Sequence, residues 1–430
     1  MEGHAQSVED TLIDSLSFKL RPGASYATSR RSVSFFPQGG NDYKPNGVKV
    51  IKIGLNGDQW LDPSTVKLFF TVQNTDGTNA LALKVPYPWI FFRRVRVLCG
   101  GQIVEDIDDY HRVHQQFHLM RPSERRYNDM VEGFGQTGNL WDFDHTSQEG
   151  SASLAATKSR TVCFTPFIGL LRQEKFIPVR YAPIQLEFEV VNAATDAVLG
   201  ATGSNQSVSF VIQDVQLKCD LVDLDNTLDN EYTQYLMTGK SLPIHYTAIT
   251  HSSQIFTNIK NDVHVSRSLT RLKSVFITMF AKPDTRVPGK DVCNDFWHPM
   301  DGGSYDFDKE LEIQVQIGSK LYPEYPIRSL AEAYYQLRKT VGLHFGNEQM
   351  AINDKSYRED SFIAAIDLEK VLGAAFTGTN TMDGQLMILR FKPANASTMA
   401  LPANTTCYAY YTLIYDAVLQ INLAGVTVLE

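Results

Sequence analysis

Nothing limits the folds open to this chain more than a repetition in its order of elements. Val95–Val104 (VRVLCGGQIV) reads as strand, glycine turn and strand, and leads into a stretch with helical spacing. Glu312–Leu321 (EIQVQIGSKL) reads the same way and leads into another. Thr161–Leu170 (TVCFTPFIGL) runs strand, turn and a helical Leu-Leu; Ser361–Lys370 (SFIAAIDLEK) repeats it, with Val371 and Leu372 as the helical pair. Each half closes on a long apolar strand, one ending near Leu221 and the other near Leu423. Identities between the halves are few; the succession of elements is what recurs. Two copies of a unit of about eight strands, with a helix inserted after the fourth, describe a duplicated all-β sandwich with short helices in its loops.

Short strands broken by turn residues fill both copies, as in a sandwich or barrel. The first half is expected to hold strands at Val33–Phe36, Val48–Leu55, Val66–Val72 (entered through Asp62-Pro63-Ser64), Trp89–Leu98, Gln102–Glu105, Arg160–Thr165, Lys175–Arg180, Ile184–Val191 and Val208–Leu221. The second half offers Leu242–Thr250, Leu272–Phe280, Leu311–Ile317, Lys320–Tyr322, Phe362–Ile366, Leu386–Phe391 and Cys407–Leu423. Tyr110, Val113, Phe117 and Met120 recur at helical spacing within Asp108–Met120. Ser329 and Glu332 form a capping box at the head of a helix reaching Val341. Asp223–Gly239 is polar, with helical spacing at Leu228, Tyr232, Tyr235 and Leu236. The chain therefore divides into an arm (1–31), a first sandwich (32–222), a linker (223–240) and a second sandwich (241–430).

Composition agrees. Aromatic residues make up 11% of the chain, and they suit a pleated, half-buried surface. The net charge of −8 is opposite to that expected of a protein whose main task is to coat phosphate, so no specific nucleic-acid site is expected. The five cysteines, 99, 163, 219, 293 and 407, form no C-x-x-C pair and read as buried free thiols of a reducing compartment. No apolar run is long enough to span a bilayer, and Met1–Ser17 lacks a secretory pattern. Synthesis and assembly inside a cell follow as the expectation, and the sequons at Asn205, Asn395 and Asn404 read as chance matches.

Ser32–Pro45 (SVSFFPQGGNDYKP) and Gly57–Asn74 (GDQWLDPSTVKLFFTVQN) resemble double jelly-roll major capsid proteins. They are most like those of polinton-like viruses, with virophages and giant DNA viruses more distant. Trp60–Thr65 (WLDPST) before an alternating strand is the most specific piece, and the strand, Gly-Gly, strand, helix order over Ile90–Met120 also fits. The resemblance implies two tandem eight-stranded jelly rolls. It also implies a homotrimer acting as a pseudo-hexameric capsomer, and an icosahedral shell around double-stranded DNA. Neighbouring capsomers, penton proteins and minor capsid proteins would be the partners. The virion would be the location, reached by assembly in an infected host cell. The long polar loops Asp76–Leu83, Glu132–Ser159, Ala193–Ser207 and Pro283–Lys309 are then expected to form subunit contacts and the outer surface. The arm, through Leu12, Ile13, Leu16 and Phe18, would grip a neighbour on the inner side.

Catalytic and cofactor patterns are weak. Gly39-Gly40 and Gly100-Gly101 lack a phosphate-loop context, and neither G-x-S-x-G nor H-E-x-x-H occurs. His111, His114 and His118 lie near one helix face and could hold a metal; a solvated or interface position beside the buried stripe is preferred. Glu105, Asp106, Asp108 and Asp109 read as a charged helix entrance rather than an acid–base site. Arg94 and Arg96 share a strand face, and Arg125 follows the helix with Arg121 and Arg126. The subunit-interface candidates are thus Arg94, Arg96, His111, His114, His118 and Arg125; no catalytic, cofactor or metal residue is assigned. Two other classes stay open. A carbohydrate-binding sandwich could use Trp141, Trp297 and Tyr305, and a jelly-roll glycoside hydrolase would need facing strand carboxylates, for which Glu187 and Glu189 are the nearest match.

Overall fold

The computed structural model describes residues 27–83, 85–135, 153–198, 206–257, 261–282, 296, 298, 310–345, 350, 352–359, 361–371, 377–382, 385–393 and 406–430. Most of the arm, the three sequons, Cys293, Trp141, Trp297, Tyr305 and much of the long loops fall outside them.

The first half supplies eight principal strands: β1 (Ala27–Phe35), β2 (Val50–Leu55), β3 (Trp60–Asn74), β4 (Phe92–Cys99), β5 (Gln102–Ile107), β6 (Ser159–Phe164), β7 (Ile184–Val190) and β8 (Phe210–Leu224). The second supplies β9 (Leu242–Phe256), β10 (Asn261–Val265), β11 (Leu272–Lys282), β12 (Leu311–Ile317), β13 (Lys320–Ile327), β14 (Ala364–Asp367), β15 (Met387–Pro393) and β16 (Thr406–Asn422). A last strand, β17 (Gly425–Leu429), folds back on β16. One sheet of the first half runs β1-β8-β3-β6, and its other four strands run β2-β7-β4-β5. The second half runs β9-β16-β11-β14 and β10-β15-β12-β13. Adding eight to each strand number converts one half into the other, which is the duplication expected from the sequence and the strand order of a jelly roll repeated.

The halves are also joined. Edge strand β5 meets edge strand β9 in a parallel pairing at Ile107 and His251, so one sheet of each sandwich merges into a nine-stranded sheet. A single apolar core runs through both.

Local chemistry accounts for the turns. β4 and β5 are linked by Gly100 and Gly101, whose φ values of 55° and 84° suit a two-residue hairpin. Gly318, at φ 60°, opens the matching turn between β12 and β13. Pro63 lies inside β3 rather than before it, where the pairing with β8 skips between Lys218 and Asp220. A strand proline needs such an irregularity because it has no N–H for the ladder.

In each half the helical insertion follows the fifth strand, not the fourth. The first is α1 (Tyr110–Leu119) followed by α2 (Ser123–Glu132); the linker is α3 (Asn226–Met237); the second insertion is α4 (Leu330–Phe345), followed by α5 (Asp354–Glu359). Asp225 caps α3 through the Thr227 N–H, and the Ser329 hydroxyl accepts from the Glu332 N–H at 3.1 Å at the head of α4. The strand expected at Lys175–Arg180 shrinks to Ile177–Pro178, and Val371, expected in a helical pair, is irregular. β1 begins at Ala27, inside the segment expected to be arm, because residues 27–35 pair along β8.

Candidate functional site

Arg94 and Arg96 do share a strand face, as alternation required. Their acidic partners, however, come from this chain. Arg94 makes a bidentate contact with Asp106 at 2.8 and 2.5 Å, across the hairpin. Arg96 lies 2.9 Å from Glu187, which also faces Lys52 at 3.1 Å on its other side. Arg93 reaches Asp108 and Glu189. The outer face of β2-β7-β4-β5 is therefore a ladder of alternating charge, with Lys52, Glu187 and Arg96 directly opposed across three strands. Glu187 and Glu189, the pair considered for hydrolysis, are its acidic rungs. Arg125 is exposed on α2.

The histidines sit elsewhere than expected. Every residue of α1 is buried, including His111, His114 and His118. The solvated position expected from the apolar stripe fails because α1 is enclosed between the two sandwiches, with His114 and His118 against the first. Toward the first sandwich, His114 stacks on Trp89 at 4.0 Å, and Trp89 stacks on Tyr87 at 4.6 Å. His118 packs against Tyr87 at 4.2 Å, with its Nδ1 3.3 Å from Asp129 of α2. Toward the second, the Arg112 guanidinium lies over the rings of Tyr410, Phe296 and Phe280 at 4.1, 4.8 and 5.4 Å. Phe117 meets Phe276 edge-on, and the Thr412 hydroxyl bonds Gln116 at 3.3 Å and His251 at 2.9 Å. Among the described residues no group of three or more His, Cys, Asp and Glu is placed to hold a metal ion.

The acidic cluster after β5 also splits. Asp106 and Asp108 pair with arginines on the outer ladder, while Glu105 points inward and is fully buried. Its carboxylate accepts from the backbone N–H of Gly169 (3.0 Å), Leu170 (3.2 Å) and, across the joint, Ile249 of β9 (3.1 Å). Burial pushes it up to about 7, against the pull of those three donors. Sequence reading grouped Glu105 with its exposed neighbours; its place opposite Asp106 on an alternating strand was the signal available.

Cys99, Cys219 and Cys407 are buried and Cys163 half-buried, and none of the four is in a disulfide. Burial pushes the Cys99 and Cys219 thiols up to about 12. No helix among the described residues is long and apolar enough to cross a membrane. Where the two sandwiches and α3 meet, an open groove of about 630 Å³ is lined by Trp60, Phe176, Leu228, Tyr232, Leu242 and Ile244, among others.

No family model matches the sequence. No curated protein is similar to it in sequence. Solved structures are similar in fold. The PBCV-1 protein VP54, fitted into a reconstruction of the virophage Sputnik, aligns over 96% of this chain and 98% of its own at 12% identity, with a TM-score of 0.61. The Faustovirus major capsid protein aligns over 95% and 93% at 8% identity, with a TM-score of 0.60. The mavirus major capsid protein aligns over 100% and 95% at 9% identity, with a TM-score of 0.50. The whole chain thus has the double jelly-roll fold found in viral major capsid proteins.

Proposed function

We propose that this chain is a major capsid protein, a structural subunit and not an enzyme, whose three copies form a pseudo-hexameric capsomer. The observation that carries this reading is the joint between β5 and β9. It shows how the fifth strand of one jelly roll meets the first strand of the next. The equivalent edges, β13 of the second sandwich and β1 of the first, end their own sheets. Repeating the joint between copies sets β13 of one against β1 of the next, a head-to-tail contact that closes into a ring when the rotation allows. Three copies of two sandwiches give a six-unit tile. Such tiles, with penton and minor capsid proteins, would enclose double-stranded DNA in an icosahedral virion assembled in the host cell.

Arg94, Arg96 and Arg125 remain contact candidates in this reading, because each keeps part of its surface exposed while the buried histidines do not. The sandwiches are assigned to 32–222 and 241–430 with α3 in the linker, the first extended at its edges by β1 from Ala27 and β8 to Leu224. Residues 1–20 act as an arm that holds a neighbour. Sedimentation of the purified chain should give a trimer, and electron microscopy should show hexagonal particles. A monomer with glycan-cleaving or glycan-binding activity would overturn the reading. Deleting residues 1–20 should leave the trimer intact and impair shell assembly.

A further inference from the structure

Four buried histidines surround one helix at the joint between the sandwiches. His111, His114 and His118 are on α1, and His251 is on β9, bonded to the same Thr412 hydroxyl that contacts Gln116 of α1. All four are at most 6% exposed. We propose that this seam is an acid-sensitive joint, in which proton uptake by His111, His114, His118 and His251 frees α1 and lets the second sandwich move against the first.

The surroundings disfavour a charged imidazole. His114 lies flat on Trp89 and beside Phe164 and Phe167, with Arg121 and Arg172 as the nearby charges. His118 faces Tyr87 and Trp89, with Arg121 and Arg126 opposing a proton and Asp129 of α2 favouring it. His251 stacks on Tyr410 and faces Arg112 and His111. His111 has Asp109, Arg112 and Asp196 as its nearby charges, the carboxylates favouring a proton and the guanidinium opposing it. Burial comes first among the causes at each site, holding all four below the usual histidine value of 6.5 and His251 at about 3.

The sign follows from linkage. Release of α1 from both sandwiches returns these rings to water, where they bind protons below about pH 6.5. The closed seam is therefore fully favoured above that pH and loses its advantage as pH falls toward the depressed values. Each histidine that takes a proton only in the open state multiplies the opening equilibrium about tenfold per pH unit. Glu105, raised to about 7, works the other way, as do Asp109 and Asp129, whose carboxyls are also raised. Four basic groups against three acidic ones, two of which titrate from the lower aspartate range, leave net opening in mild acid.

Native-state hydrogen exchange on the full-length chain between pH 7 and 5 tests this. After correction for intrinsic exchange, amides of α1 should lose protection by about a hundredfold per pH unit once the pH is below about 6.5, while β4 and β7 hold theirs. Equal protection of α1 at pH 7 and 5 would overturn the proposal. In the variants H114Q and H251Q, each tested alone, the slope should fall by about tenfold per pH unit; an unchanged slope in both would also overturn it. If neither variant folds, the wild-type exchange decides. The experiment reads the isolated subunit, so it stands apart from whether the chain builds a shell.

Discussion

Two residues hold the joint between the sandwiches, and neither carries a motif. Glu105 satisfies three backbone donors drawn from both halves. Truncating it strands those N–H groups in a dry seam, so Glu105→Ala should cost about 3 kcal/mol in denaturant unfolding. Its raised value sets a pH sign: the stability it contributes is complete below the ordinary glutamate range and lost as pH rises through about 7. The gap in unfolding free energy between wild type and Glu105→Gln should therefore shift against wild type from pH 5 to 8. Gly169 has ordinary backbone geometry and is required by proximity. A Cβ there would lie 2.0 Å from the Thr247 carbonyl oxygen of β9 and 3.0 Å from Glu105. Gly169→Ala should cost about 4 kcal/mol or prevent folding, as read by thermal melting of the purified chain.

At the scale of elements, matching positions in the repeat behave differently. α1 and α4 occupy the same place in their jelly rolls, yet α1 is buried on all sides while Tyr335 of α4 is 63% exposed. β16 is buried on both faces over residues 411–419, whereas its counterpart β8 alternates from Val215 to Leu221. The difference is the neighbour: α1 and the first sandwich cover one face of β9-β16-β11-β14. The charged ladder on β2-β7-β4-β5 is weaker per contact. A double-mutant cycle on Arg96 and Glu187 should return a coupling of about 1 kcal/mol, since one partner is half-exposed. Legibility also varied by element. β12 was readable to the residue and β16 to within one, because apolar runs between turn signals mark strands. β10 (NDVHV) was missed, being short and polar at alternate positions, and α2 was missed because its face is mostly charged.

For the whole molecule, the merged sheet makes the second sandwich depend on the first. Residues 241–430 expressed alone would expose Phe276, Phe280 and the α1-facing side of β16, a surface that full-length chain keeps dry. That fragment should bind a hydrophobic dye and aggregate, while the full chain stays soluble. A monodisperse, dye-silent fragment would show that the joint adds little.

The duplication, the strand-and-turn succession, the glycine hairpins and the Ser329 cap of α4 were legible in residue order alone. They depend on backbone sterics and on periodicity within about ten residues, and those are local. The burial of His111, His114 and His118, the inward place of Glu105, and the pairing of Arg94 and Arg96 with their own sheet were decided by tertiary structure. Each depends on which distant surface covers a polar group, and a helix that looks half-solvated in sequence becomes core when it is enclosed between two sandwiches.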